Sequence, residues 1–293
     1  MTTIKLRRGT WSQWQTANPV LAAGEPGYET DTGRYRIGDG STTFVLLPAF
    51  VNDEALTESY VSRRGAADIL RAALSTWESA PVALVFAGSS TTANSAATGW
   101  VARFVTRLRA QYSTSGGETA IQASTSASFT QRTAAGVHAY NCGITNTQAN
   151  TYLTNAMCTA IADLGPAVMF HMVGSNDFAA QKSPTTYQSE LTTRLAYLDA
   201  RLPAPFVHVL VHAYQRLDVS SPTAYGWSSY GDALRRVANL KPASRLFLDI
   251  SSAYAATGVP GADPLNLVSS DDIHQTNAGN ALMATLIYRE LEV

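Results

Sequence analysis

Four short polar segments of this 293-residue chain contain the side chains that nucleophilic catalysis requires. In chain order they are Gly88–Ser90, Asn141–Gly143, Gly174–Asp177 and Asp271–His274. A serine hydroxyl is a poor nucleophile until an imidazole removes its proton, and the imidazole needs a carboxylate to fix its tautomer. Asp271 and His274 stand three residues apart, so on one turn the carboxylate can reach one ring nitrogen while the other faces a serine. The segments therefore predict acyl transfer by serine, histidine and aspartate.

The tetrahedral intermediate of such a reaction carries an oxyanion, which needs preorganised hydrogen-bond donors. Three candidates are present: the backbone N–H groups of Ser90 and Gly143 and the side-chain amide of Asn176. Gly143 suits this role because the backbone can approach a ligand closely where no Cβ stands in the way. These three groups form the predicted oxyanion hole.

The elements that must position these segments are short apolar runs typical of buried strands, separated by amphipathic helical patterns. The predicted strands are Val82–Phe86, Val137–Tyr140, Ala167–Val173, Phe206–Val211 and Arg245–Ile250. Strands that alternate with helices imply right-handed crossovers and a parallel sheet that is covered on both faces. Ligands bind at the carboxyl ends of the strands in such sheets. The first three segments should therefore meet at one edge of one sheet.

The four segments also carry a family resemblance. Gly88-Ser-Ser-Thr-Thr92, Gly143, Gly174-Ser-Asn176 and Asp271-x-x-His274 resemble the four ordered blocks of the SGNH (GDSL-type) esterase and lipase superfamily. The resemblance covers residues 81–293 and implies an α/β, three-layer, flavodoxin-like fold with a five-stranded parallel sheet. It implies that Ser90 is the nucleophile, Gly143 and Asn176 are oxyanion donors, His274 is the base and Asp271 is its partner. It implies neither a metal nor an organic cofactor.

One residue departs from the pattern of this superfamily. Where the family usually has aspartate before its nucleophile, this chain has Ser89, so a second hydroxyl lies beside Ser90. The Gly-x-Ser register still places Ser90 third in the block, and we predict it as the nucleophile. The substitution keeps an alternative open, in which the domain retains the fold without turnover and serves as a receptor-binding adhesin.

Residues 1–50 have a different sequence pattern, in which glycines separate short polar and aromatic stretches. Tyr28–Thr30 and Arg34–Ile37 flank a turn at Gly33, which predicts a β-hairpin. The segment resembles the N-terminal module of bacteriophage tail-fibre and tropism-determinant proteins, through Leu6–Thr10, Trp14, Ala17–Leu21, Gly24–Gly27, Glu29–Gly33 and Ile37–Gly40. The resemblance implies a β-rich attachment and oligomerisation module of a virion, with phage tail or baseplate proteins as partners.

A helical pattern follows this module. Its apolar face comprises Ala66, Ile69, Leu70, Ala73, Leu74 and Trp77, and Pro81 ends it. We predict a linker helix within residues 51–80, between the module at 1–50 and the hydrolase domain at 81–293.

The low charge of the chain argues against some classes of binding partner. Charged residues make up 15% of the chain and the net charge is -1, which argues against nucleic acid or an anionic membrane surface as the main partner. No apolar run has transmembrane length and the start lacks a secretory pattern, so we expect no membrane insertion. The sequence thus predicts a serine esterase on a phage tail. It would act outside the cell on host cell-surface polysaccharide, as a carbohydrate O-deacetylase or related acyl-ester hydrolase, or on lipid esters of the envelope.

Other side chains have simpler interpretations. His171 lies in an apolar run, which favours a core position, and His208 and His212 alternate with apolar residues and receive no role. Trp227 follows Gly226 in a polar loop. It is either a core residue or a platform on which a sugar ring stacks.

The N-terminal module predicts the oligomeric state. So short a segment rarely buries enough apolar surface to be stable alone, it contains no cysteine, and the hairpin leaves strand edges to be covered. Because the tail-fibre resemblance implies three copies about a common axis, we expect a homotrimer assembled mainly through residues 1–78. The domain from Ala80 onward should be a monomer alone. Light scattering after size exclusion at micromolar concentration measures both masses, and a monomeric full-length chain would contradict the prediction.

Overall fold

The structure of the protein is a computed structural model, and it describes residues 7–47, 49–51, 67–94, 96–114, 120–219 and 223–291. The chain divides into two compact units, Met1–Val61 and Ser62–Val293. Within the described ranges, no helix has both the length and the apolar character needed to cross a membrane.

The first unit is built on a four-stranded sheet in the order β1–β2–β3–β4. Its elements are β1 (Arg7–Gly9), α1 (Trp11–Ala17), β2 (Pro26–Glu29), β3 (Arg34–Ile37), a 3₁₀ helix (Phe44–Leu46) and β4 (Ala49–Val51). β2 and β3 pair antiparallel around Gly33, whose φ is +69°, so the predicted hairpin is present. A small core holds the unit together, in which the rings of Trp14 and Phe44 stack at 3.9 Å beside Leu21 and Leu47.

The second unit is centred on a parallel sheet whose strands lie in the order β10–β9–β8–β5–β7–β6. Their bounds are β5 (Pro81–Gly88), β6 (Gln122–Ala123), β7 (Gly136–Asn141), β8 (Val168–Met172), β9 (Val207–His212) and β10 (Arg245–Asp249). The implied count of five strands is wrong, because β6 adds a sixth strand beside the end of β7. This strand is two residues long and lies in a stretch rich in serine and threonine, where no apolar pattern indicates a strand.

Helices cover both faces of this sheet and make three layers. They are α2 (67–74), α3 (Ser90–Ala93), α4 (Trp100–Gln111), α5 (Asn155–Asp163), α6 (Ser175–Ala179), α7 (Pro184–Asp199), α8 (Trp227–Asn239), α9 (Ser251–Ala256) and α10 (Asn277–Glu290). Successive residues of a strand point to opposite faces. In β5, Leu84 and Phe86 join the core on the side of α2, α4 and α10, whereas Val85 and Ala87 join the core on the side of α5, α7 and α8. This alternation places β5 at the centre of the unit.

Part of the segment predicted as a linker helix belongs to this layered unit. Residues 52–66 lie outside the described residues. Residues 67–74 are helical, and Leu70 and Leu74 are buried in the same core as Leu84. The described part of the segment is therefore a helix packed in one of the outer layers of the second unit.

A buried chain of hydrogen bonds links β8, β9 and the end of α7. Tyr152 Oη donates to His171 Nδ1 at 3.0 Å, His171 Nε2 donates to His208 Nδ1 at 2.9 Å, and His208 Nε2 donates to Asp199 Oδ1 at 3.0 Å. With Asp199 ionised and both rings neutral, each ring carries one N–H, and only this order of donors makes all three bonds. Burial lowers the pKa of both rings, which agrees with their neutral form. His171 is thus a hydrogen-bonded core residue, as its apolar run predicts.

His212 in β9 is a buried histidine of another kind. Its ring stacks on Trp227 at 4.4 Å between centroids, and neither of its nitrogens has a partner in the described part of the chain. Burial lowers its pKa to about 4. Because the unfolded chain binds this proton at a higher pH, the stability that the neutral ring contributes is present above the ordinary histidine pKa and is lost as the pH falls.

We therefore predict that His212→Phe makes the stability of the protein less sensitive to acid. Between pH 7 and pH 5, the wild type should lose about 2 kcal/mol more unfolding free energy than the variant, since phenylalanine binds no proton. Urea denaturation of both proteins at the two pH values measures the difference. Equal losses in the two proteins would contradict the prediction.

Candidate active site

The segment that contains the predicted nucleophile forms a tight turn between β5 and α3. β5 ends at Gly88, Ser89 is the N-cap residue of α3, and Ser90 is the first residue of that helix. A Cβ at position 88 would lie 2.3 Å from the carbonyl oxygen of Met172, at the end of β8. The turn therefore accepts only glycine at this position, because any larger residue would push it away from β8.

The strand on the other side of β5 fixes α3 in the same way. A Cβ at position 143 would lie 2.3 Å from the backbone nitrogen of Ala93 in α3, and Asn141 Nδ2 donates to the carbonyl oxygen of Thr92 at 2.7 Å. The helix that carries Ser90 is thus held against the ends of β7 and β8. Gly143 is needed here for the close approach of two backbones.

The two adjacent serines have different surroundings. Ser89 is buried, with 3% of its surface exposed, whereas Ser90 is half-buried. Ser90 lines a cavity of about 330 Å³, and His274, Asn94 and Thr145 also line it. Ser89 does not line this cavity, so the structure places only Ser90 beside the predicted base.

The predicted base and its acid meet in the loop before α10. His274 Nδ1 donates to Asp271 Oδ2 at 2.6 Å. The other oxygen, Asp271 Oδ1, accepts from the backbone N–H groups of Ile273 and His274, each at 2.9 Å, and from Ser269 Oγ at 2.6 Å. Because Nδ1 carries the proton, Nε2 of the same ring is the nitrogen that can accept one from a serine.

The hydrogen bonds on Asp271 control its charge. Slight burial acts to raise its pKa, but the bonds from the His274 backbone, the Ser269 hydroxyl and the His274 ring outweigh that effect. They hold the pKa of Asp271 well below its usual range. The carboxylate therefore stays ionised near neutral pH, as it must to stabilise an imidazolium.

Ser90 and His274 line the same cavity, and no hydrogen bond joins them in the described structure. Catalytic hydrogen bonds are often long in the absence of substrate and tighten when it binds. The structure thus brings four predicted residues to one edge of the sheet in two groups. Asp271 and His274 form a bonded pair. Ser90 begins α3, and Gly143, which follows β7, packs against that helix.

The backbone N–H of Gly143 already has an acceptor. It donates to Asn141 Oδ1 at 2.9 Å, and both residues are buried. An oxyanion that used this donor would have to share it with the Asn141 oxygen. The side chain of Asn141 bonds to both the N–H of Gly143 and the carbonyl of Thr92, so it fixes the distance between them.

Asn176, the remaining predicted donor, is half-buried in α6 directly after β8. Its Nδ2 donates to the carbonyl oxygen of Thr147 at 2.9 Å, and an amide nitrogen has a second N–H to offer. Its Oδ1 accepts from Arg216 Nη1 at 3.0 Å. Both ends of the amide are therefore held, and its orientation is fixed.

Arg216 is a site residue that the sequence analysis missed. It is 8% exposed, and Asp218 holds its guanidinium through two bonds, from Nε at 2.5 Å and from Nη2 at 2.6 Å. The remaining Nη1 reaches Asn176. The signal that could have found it is its place in the loop after β9, since residues beyond a parallel strand lie at the ligand-binding edge.

Other candidates have structural roles. Trp227 is buried, and its Nε1 donates to the carbonyl oxygen of Ala213 at 3.0 Å, so it is a core residue and offers no exposed face to a sugar. Asp177 is fully buried and bonds to the N–H of Ala149 and to Lys182 Nζ at 2.7 Å, which orders the loop after β8. In the described residues, no three histidine, cysteine or acidic side chains cluster as metal ligands.

Comparison with known proteins finds a likeness for each unit. Residues 4–42 match the family model of the major tropism determinant N-terminal domain. No curated protein matches the chain in sequence. Solved structures match it in fold. Axe2, an acetylxylan esterase from Geobacillus stearothermophilus, is 19% identical with a TM-score of 0.54, over 72% of this chain and 94% of that protein.

Two further structures show the same architecture. A peptidoglycan O-acetylesterase is 12% identical with a TM-score of 0.58, over 78% of this chain and 95% of its own. A predicted GDSL-like lipase from Parabacteroides merdae is 18% identical with a TM-score of 0.54, over 72% and 95%. Both resemblances are therefore confirmed, the first as a matched domain and the second as the α/β fold of SGNH (GDSL-type) hydrolases.

The contacts of Arg216 give a prediction. Arg216→Met removes the donor that orients the Asn176 amide, so kcat for ester hydrolysis should fall about 10- to 100-fold, somewhat less than the loss of a whole oxyanion donor. KM should change less than kcat, because Asn176 is predicted as an oxyanion donor, and such a donor acts mainly on the charge that develops in the transition state.

The matched control is Arg235→Met in α8, which removes an exposed guanidinium paired with Asp232 and should leave kcat near the wild-type value. Steady-state kinetics on a small acetyl ester measures both variants. An Arg216→Met enzyme with an unchanged kcat would refute the positioning role.

Proposed function

We propose that residues 81–293 form a serine ester hydrolase of the SGNH type, with Ser90, His274 and Asp271 as its triad. The observation that carries the proposal is the cavity at the carboxyl edge of the sheet, which Ser90 and His274 line together. The bond of 2.6 Å between His274 Nδ1 and Asp271 Oδ2 adds the contact between base and acid that a triad requires. It directs the free ring nitrogen away from the carboxylate, as proton transfer from a serine requires.

The first half of the reaction transfers the acyl group to the enzyme. Ser90 Oγ attacks the ester carbonyl carbon while His274 Nε2 takes the hydroxyl proton, and the carbonyl oxygen becomes an oxyanion. The oxyanion collapses, the bond to the alcohol oxygen breaks, and His274 gives its proton to the leaving alcohol. Asp271 stabilises the imidazolium between these two steps.

The second half restores the enzyme. A water molecule gives a proton to His274 Nε2 and attacks the acyl carbon. The bond to Ser90 Oγ then breaks, His274 returns its proton to that oxygen, and the carboxylic acid leaves. In both halves the N–H of Ser90, the N–H of Gly143 and the second N–H of Asn176 are the proposed oxyanion donors. Arg216, whose charge Asp218 balances, donates to Asn176 Oδ1 and so holds the orientation of this amide.

The likenesses of the two units support the biological setting. The matched tropism-determinant domain supports a phage tail protein of the virion that acts outside the cell at the host surface, with tail or baseplate proteins and two further copies of itself as partners. The names of the structural neighbours include acetylxylan esterase and peptidoglycan O-acetylesterase. We therefore propose a carbohydrate O-deacetylase, or a related acyl-ester hydrolase, on host cell-surface polysaccharide.

A non-catalytic adhesin is the second candidate function. Two observations favour it: Ser89 stands where the family has aspartate, and the N–H of Gly143 already donates to Asn141. An adhesin with this fold would bind the same host polysaccharide without releasing acetate. Hydrolysis of a generic acetyl ester separates the two functions.

The serine pair gives the decisive mutational test. Ser90→Ala should lower kcat on 4-nitrophenyl acetate by about three orders of magnitude or more, because triad members act as a unit. Ser89→Ala is the matched control, one residue away and outside the cavity, and should cost less than about tenfold. If Ser89→Ala were the inactive variant, Ser90 would not be the nucleophile. If wild type and Ser90→Ala were equally inactive, the adhesin would be favoured.

A further inference from the structure

The space around Ser90 differs on the two sides of β5. The sheet order places β8 and β9 on one side and β7 and β6 on the other. An ester bound at Ser90 has two halves, the acyl group and the alcohol, which extend in different directions from the carbonyl carbon. The shapes of the two sides therefore decide which half each can hold.

On the β8 and β9 side, the described residues enclose only a small space beside the serine turn. The space next to Ser89 and Thr91 has a volume of about 10 Å³, and side chains of β8, β9 and α8 that include Met172, Val211 and Trp227 line it. This is room for about one water-sized group. No sugar ring fits there.

The β7 and β6 side is open. A groove of about 500 Å³ lies there, which we name the polar groove, and its wall includes Ala93, Ser124, Thr125, Asn141, Gly143 and Thr145. Ala93 and Thr145 also line the Ser90 cavity, so the two spaces adjoin. A group attached to an ester at Ser90 can therefore extend into the polar groove.

The lining of the polar groove has a distinct chemistry. Its side chains are small and neutral, and no charged or aromatic residue lines it in the described ranges. Thr125 and Thr145 are exposed, and neither hydroxyl bonds to another described residue. A hydroxyl both donates and accepts hydrogen bonds, which matches the hydroxyl groups of a polyol. An anionic ligand would find no cation among these residues.

The unexpected strand builds one wall of this groove. β6 ends at Ala123, and Ser124 and Thr125 follow it at the carboxyl edge of the sheet. Ser124 Oγ accepts from the backbone N–H of Ser128 at 2.9 Å and so stabilises the loop. The hydroxyl of Thr125 makes no such bond to a described residue, so it is available to a ligand in the groove.

We propose that the polar groove is the subsite for the alcohol half of the ester, and that this half is an uncharged, hydroxyl-rich group of the size of a sugar residue. The proposal rests on the esterase function proposed above and adds where its substrate lies. The acyl carbon then sits at Ser90, with the sugar against Thr125 and Thr145.

The test fills the groove with a bulky side chain at Thr125. The quantity measured is the ratio of two kcat/KM values, for acetate release from an O-acetylated neutral oligosaccharide and for hydrolysis of 4-nitrophenyl acetate. Thr125→Trp should lower this ratio at least tenfold, because only the oligosaccharide needs the groove. Ser128→Trp, on the same loop outside the groove, should leave the ratio at the wild-type value. A Thr125→Trp ratio within twofold of wild type would overturn the proposal.

A binding measurement separates this proposal from the esterase function itself. Calorimetric titration of the full chain carrying Ser90→Ala with the deacetylated oligosaccharide needs no turnover. Adding Thr125→Trp should raise the Kd at least tenfold, and adding Ser128→Trp should not change it. If the wild type hydrolysed neither ester, such a rise in Kd would support a carbohydrate-binding groove and refute the esterase. Equal Kd values with and without Thr125→Trp, or no binding at all, would overturn the subsite.

Discussion

The position of α3 depends on two close backbone contacts, and the site depends on α3. Gly88 and Gly143 leave no room for a Cβ, because the carbonyl of Met172 and the backbone of Ala93 occupy that space. The helix that begins at Ser90 is therefore held between the ends of β7 and β8 by close backbone contacts, with the buried Asn141 side chain bonded to the carbonyl of Thr92. A residue larger than glycine at either position would move Ser90 relative to His274, the proposed base on the loop before α10.

The loop after β9 connects the two halves of the site. Arg216 donates to Asn176, on the side of the proposed oxyanion. Tyr214 Oη donates to the carbonyl oxygen of Ile273, and the N–H of Leu217 donates to the carbonyl oxygen of Asp272 at 2.7 Å; both acceptors lie in the loop that carries the proposed base, His274. One segment of five residues, 214–218, thus bonds both to Asn176 and to the loop that carries His274. A rigid supporting shell of this kind is what preorganised catalysis requires, since donors that are already in place need no reorganisation during the reaction.

The sequence predicts the parallel sheet and the segments at its edge because both depend on local patterns. Apolar runs predict the strands, and spacing alone predicts that His274 can bond to Asp271. Contacts between distant parts of the chain leave no such pattern. The bond from Arg216 to Asn176 spans 40 residues, and the burial of Trp227 depends on its stack against His212. The sequence did not predict β6 either, because this strand is two residues long and pairs only with the end of β7.

Covalent labelling tests the assignment of Ser90 as an activated nucleophile most directly. The full chain is treated with a serine-directed fluorophosphonate, and mass spectrometry of its peptides locates the phosphonyl group. The predicted result is one phosphonyl group on Ser90, which forms only slowly in His274→Ala because the hydroxyl then lacks its base. Labelling at Ser89, or equally fast labelling with and without His274, would contradict a catalytic serine activated by this histidine.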